Sequence, residues 1–321
     1  MSAAAHPQLI ARSTARARNA PGALYLLATM VVALTLFTPD FFSVANLTNV
    51  LLQVAVLTIV ALGMTLVILT EGIDLSLGPV LGLCGVAASM IVVAGYPLPV
   101  AIVAALAIGS AFGLLNGSLV AIAGMPPFIV TLGAFGIAQS LATVLTGGNS
   151  VTPLPEYYRW FNAGVFLGIP VPIWATIVLF GLTWLLLYRT KFGRYVFAIG
   201  GNKQALKLAG TRVSLYHVLV YVYAGALTAV ASFIMTARMN AAHPTIGVGI
   251  EFDAIAAVIL GGTSFEKGRG SIAGTVVGAL AVGVLRNGLN LLGVSAEWQV
   301  AIVGVVIIGA VALDSLRGFN T

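Results

Sequence analysis

The residues able to do chemistry in this chain are few, and they come in groups. Thr70-Glu71-Gly72-Ile73-Asp74-Leu75-Ser76-Leu77-Gly78 sets two acids and a serine between long apolar runs. Asn116 lies in a row of glycines at 109, 113 and 117, and Thr131, Gln139 and Ser140 follow in the next apolar run. Glu251 and Asp253 open a later one. None of these groups has the form of a catalytic device. The three histidines, His6, His217 and His243, stand far apart without metal-ligand spacing. The glycine-rich loop 261–271 lacks the Walker A order of glycine, lysine and serine or threonine. No serine–histidine pair or paired-carboxylate motif is evident. The sequence therefore nominates no catalytic residue, no metal and no cofactor. These side chains can hydrogen-bond, and in apolar surroundings they must.

A second group is ionic. Arg189 to Arg212, RTKFGRYVFAIGGNKQALKLAGTR, holds six of the fifteen Lys and Arg residues and no acid. Asn202 is a good N-cap, KQALKLA supplies helix formers, and Gly210 can close the turn in a left-handed conformation. The segment is too polar to cross a bilayer. It reads either as a basic loop or as a short capped helix, with Leu206 and Leu208 as its apolar patch for a partner.

The elements that must position these groups are apolar throughout. Hydrophobic residues make up 60% of the chain and charged residues 7%, against about 25% charged in soluble domains. The stretch 75–155 contains no Lys, Arg, Asp or Glu. Mean hydropathy is +1.07. A crossing takes roughly 20 apolar residues, so the chain reads as an all-α polytopic membrane protein. The single cysteine, Cys84, excludes an intrachain disulfide. The net charge of +6 could suggest nucleic acid, but its distribution follows the positive-inside pattern.

Ten spans are expected, over 22–38, 50–70, 75–94, 98–123, 127–146, 169–188, 215–237, 246–262, 271–291 and 296–313. With 1–21 and 315–321 as cytoplasmic tails, 22–314 is one transmembrane domain with an inner loop at 189–214. This parity places twelve of the fifteen Lys and Arg on one side. Gly72-Ile73-Asp74 and Gly249-Ile250-Glu251 recur five spans apart, as do Asn116-Gly117 and Asn287-Gly288. An odd separation makes the two halves opposite in orientation, an arrangement of transporters.

Ionisable groups at membrane depth are functional candidates. Asp74, Ser76, Asn116, Thr131 and Gln139 are thus candidates for the path of a hydroxylated solute. Each has a structural reading beside the functional one. Asp74 and Ser76 can cap a helix, Thr131 and Gln139 can bond helix to helix, and the glycine row can let backbones approach.

Four motifs in order carry a resemblance: EGIDLSLG, LLNGSLVAIAGMPPFIVTLG, GRYVFAIGGNKQALKLAGTRV and EFDAIAAVILGGTSFEKGRGSIAGTVVGAL. Together they resemble the ribose-type permeases of ATP-binding-cassette importers over roughly residues 40 to 315. The resemblance implies a multi-pass permease in the bacterial inner membrane that works as a dimer. Its partners would be a second permease copy, a cytoplasmic cassette ATPase and a periplasmic sugar-binding protein, and its substrate a monosaccharide. It further implies ATPase coupling through Gly193, Arg194, Gly200, Gly201, Asn202, Ala205, Leu206, Leu208 and Gly210. The chain departs from the family pattern twice. Glu71 stands where that family often has glycine, and Lys203 and Gln204 stand where it often has acids. An ion-coupled secondary transporter is the alternative reading, with Asp74 or Glu251 as the coupling carboxylate.

Overall fold

The computed structural model describes residues 22–265 and 268–318. The expected tail 1–21, the end of the C-terminal tail at 319–321, and Glu266 and Lys267 lie outside the described residues. Among the described residues twelve α-helices follow one another: α1 Gly22–Phe37, α2 Val44–Leu69, α3 Leu77–Val93, α4 Leu98–Ala121, α5 Pro127–Thr146, α6 Trp160–Ala163, α7 Val171–Arg189, α8 Lys191–Leu208, α9 Val213–Met239, α10 Ile250–Leu260, α11 Ile272–Leu291 and α12 Ala296–Gly318. Two short antiparallel strands, Val165–Phe166 and Ile169–Pro170, form a hairpin before α7.

α2 is the central post. Ser43 Oγ accepts from Asn46 N at 3.2 Å and starts it. Its last sixteen residues, Val54 to Leu69, are all buried. α9 packs along α4 through the glycine row: a Cβ on Gly113 would sit 2.7 Å from Val222 Cα, and one on Gly117 2.8 Å from Val218 Cα. Close backbone approach is therefore what these glycines provide, as small residues do between membrane helices.

Among the described residues six helices, α2, α4, α5, α7, α9 and α11, are long and apolar enough to cross a membrane. Of the other expected spans, two fall on short helices. The eighth expected span, 246–262, is a helix only over Ile250–Leu260. At 1.5 Å per residue its 11 residues reach about 16 Å, half of a bilayer core of roughly 30 Å. Hydropathy sums an apolar run of turns, as at 246–249, and a helical stretch alike, so it cannot see where the helix begins. α3, with 17 residues, also falls short.

α3 and α10 share a cause for their shortness: both start inside the bundle. Gly78, in the first turn of α3, faces Gly247 and Glu251 at the start of α10, and Gly82 faces Pro244. From this junction α3 climbs beside the last turns of α9, where Gly85 meets Thr236. α10 descends the other way, to where Gly261 meets Gly274 at the start of α11. That end also gathers Leu69, Gly200 and Gly268, and it carries the cations of α8.

Candidate functional site

Two places carry the polar residues, and the first is the break between α2 and α3. α2 ends in a Schellman motif: Gly72 N donates to Val67 O at 3.0 Å and Glu71 N to Ile68 O at 2.9 Å. This motif puts one residue in the left-handed region, where glycine is usual. Here that residue is Glu71, at φ 61°. The departure from the family's glycine is thus a backbone matter; the Glu71 side chain itself is exposed.

Beyond the turn the chain re-enters the bundle. Asp74 Oδ1 accepts from Ser76 N at 2.9 Å and from Ser76 Oγ at 2.6 Å. Asn116, on α4, donates to Ser76 Oγ at 2.9 Å and to both Asp74 oxygens at 3.5 Å. Thr131, on α5, donates to Ile73 O at 3.2 Å and to Pro127 O at 2.9 Å. Four of the five expected path residues therefore meet in one cluster, each at most 1% exposed. Gln139 lies apart, donating to Pro244 O at 3.3 Å. The capping and helix-to-helix readings describe these bonds: in this conformation the cluster is sealed within the chain. Ser76 occupies the N-cap position but its side chain makes no cap bond; Asp74 holds the turn instead.

The start of α10 repeats the scheme. Glu251 takes the Gly249 N–H at 3.1 and 3.0 Å through its two oxygens. Asp253, two residues on, pairs with Arg286 on α11 at 2.7 Å. In each half a carboxylate opens a short helix, and a polar group two residues later bonds the next helix. Physics asks for this, because two helix N-termini bring two positive dipole ends together, and acids offset them. Sequence reasoning missed Arg286 as a partner. It also missed His217 and Tyr221 on one face of α9, both buried and neither with a hydrogen-bond partner. Their four-residue spacing was the available signal.

The second place is α8. It runs from Lys191 to Leu208 with a kink at Asn202, φ −161° and ψ 86°. Asn202 Oδ1 accepts from Ala205 N at 2.9 Å, capping a second short helix. Thr211 N donates to Leu206 O at 3.2 Å across Gly210, whose φ is 74°. The cap and stop expected from the letters are both present. Gly193 is buried against Leu187, and Gly200 against Leu69 and Gly268. These contacts tie the first half of α8 to the bundle. Arg194, Gly201, Asn202 and Ala205 are exposed, Leu206 is half-buried, and Leu208 is 90% exposed. Lys203 is half-buried. Burial first, then neighbouring Lys207, pull its pKa down, while Glu71 opposes the shift.

The sequence profile described as "branched-chain amino acid transport system / permease component" matches residues 46–311. The chain belongs to this permease family. It is 43% identical over 298 residues to the ribose import permease protein of Escherichia coli (strain K12), covering 92% of this chain and 93% of that one. The Bacillus subtilis (strain 168) ribose import permease is 44% identical over 287 residues, covering 89% of each. The D-allose transport system permease protein of E. coli (strain K12) is 36% identical, over 92% of this chain and 91% of its own length. Among solved structures, a metal-chelate type ABC transporter in an inward-facing conformation aligns with a TM-score of 0.50 at 14% identity. It covers 94% of this chain and 98% of that one. That likeness concerns the fold alone.

Proposed function

We propose that this permease is the membrane subunit of an ABC importer and passes a monosaccharide inward. The observation that carries this reading is its 43% identity to a ribose import permease across 92% of the chain. The geometry is consistent with it. The basic end, with α8 and its exposed Leu208, would face the cytoplasm, as the positive-inside rule directs. The second half of α8, from Asn202 to Gly210, would dock in a cassette ATPase, anchored to the bundle by Gly193 and Gly200.

ATP binding on that partner would move α8, and the bundle would carry the motion to the solute path. A second copy of the chain would complete the path in the bacterial inner membrane, and a periplasmic binding protein would deliver the sugar. With α3 and α10 read as half-crossings that complete ten passages, the two halves are inverted repeats meeting at Gly78 and Gly247. Asp74, Ser76, Asn116 and Thr131 hold the broken helix open beside the path, and Gln139 fastens α5 to the 240–249 segment.

The ion-coupled alternative has less to stand on. Both carboxylates it would use, Asp74 and Glu251, are engaged by backbone N–H groups at helix starts. Uptake of D-ribose, D-allose and D-galactose into vesicles carrying the complete system tests the proposal. ATP-dependent accumulation that survives an uncoupler is the expected result. Accumulation abolished by the uncoupler in the presence of ATP would overturn it.

A further inference from the structure

Two cavities open between the helices. The larger, about 620 Å³, is walled by Trp160, Phe161, Phe166, Trp174, Phe233 and aliphatic side chains. A polyol entering it would lose its water hydrogen bonds without replacement, so it is no place for a sugar. The smaller, about 240 Å³, is different in kind. It lies between α2, α9, α10, α11 and α12, beside the start of α10 and toward the end of the bundle opposite α8. Gln53, Arg238, Asp253 and Arg286 line it, with Met235 and Val300 among its apolar walls.

The polar groups of this cavity are only partly used. Asp253 and Arg286 share one contact at 2.7 Å, and Arg286 Nε is buried with no partner. Among the described residues the side chains of Gln53 and Arg238 make no hydrogen bond or ion pair. Arg286 Nε, buried beside this space without a partner, is a costly donor unless a ligand takes it. A carboxylate beside a guanidinium presents an acceptor and a donor side by side, which matches two neighbouring hydroxyls. The Gln53 amide can serve either role. An anion would compete with Asp253 for Arg286, whereas a neutral polyol leaves that ion pair intact.

We infer that this cavity is a binding site for a neutral polyol of monosaccharide size, held by Gln53, Arg238 and the Asp253–Arg286 pair. The inference rests on the sugar-import reading and places a station for the sugar inside a single chain. The purified permease in lipid nanodiscs would be titrated with D-ribose, D-allose, D-galactose and ribose 5-phosphate by ligand-observed NMR. Gln53→Leu and Arg238→Met are the variants of choice, since neither side chain has a partner whose loss would disturb folding.

At least one neutral sugar should bind. Each variant should weaken it about tenfold, the scale of a hydrogen bond lost at a charged site, with an unchanged melting temperature. Equal binding by wild type and both variants overturns the inference, as does tighter binding of ribose 5-phosphate than of any neutral sugar. Absence of sugar binding while ATP-driven vesicle uptake persists overturns this site alone. Absence of both overturns the sugar-import reading beneath it.

Discussion

At the scale of single residues, Glu71 is the most instructive. It occupies a left-handed position at φ 61° at the end of α2, where a side chain costs roughly 1–2 kcal/mol relative to glycine's freedom. Glu71→Gly should therefore stabilise the permease by about 1 kcal/mol, read as a higher melting temperature in detergent. An unchanged or lower melting temperature would mean that the electrostatic attraction between Glu71 and Lys203 outweighs the backbone. The departure at position 71 was visible in the letters, but its meaning was not, because a dihedral angle leaves no trace in composition. Asn116 was more legible. An amide inside an apolar run needs a partner, and Ser76 and Asp74 supply it. That these groups seal against one another rather than line an open channel required side-chain geometry. Arg238 and Arg286 read as scattered cations in a row of letters, and only the fold puts them around one cavity.

At the scale of elements, α8 was the best-read segment. Asn202 and Gly210 announced its cap and its stop, and both form as chemistry dictates. The kink at Asn202 was not foreseen: the first half, Lys191 to Gly201, is already helical and locked to the bundle by Gly193 and Gly200. The result is a rigid arm with a separate tip. Leu208, 90% exposed at that tip, is a better probe than half-buried Leu206. Leu208→Asp should leave the helices folded, with an unchanged melting temperature. It should also lower sugar uptake in vesicles at least tenfold, on the scale of an interface anchor worth about 2 kcal/mol. Full uptake would show that this leucine meets nothing.

At the scale of the whole molecule, hydropathy located the apolar helices but not where each begins and ends. α10 has 11 residues and α3 has 17; the apolar flanks that completed their windows are turns. The motif recurrence Gly72-Ile73-Asp74 and Gly249-Ile250-Glu251 marked both re-entries, because each is the start of a helix beginning within the bundle. Where those starts meet, Gly78 leaves no room for a side chain: a Cβ would lie 2.6 Å from Gly247 O. Gly78→Leu should push the halves apart and destabilise the protein by several kcal/mol, on the order of severe overpacking. Loss of a monodisperse peak in size-exclusion chromatography would register it, and a normal peak would refute the packing argument.

The same junction has a mechanical consequence. Side chains can hop between rotamers and so let two surfaces creep past each other, whereas main chain seated on main chain offers no such gears. With Gly78 and Gly247 in contact and carboxylates stapling each helix start, the seam has almost no compliance. Each chain should then travel as one stiff block during a transport stroke, with the pivot at its outer boundaries.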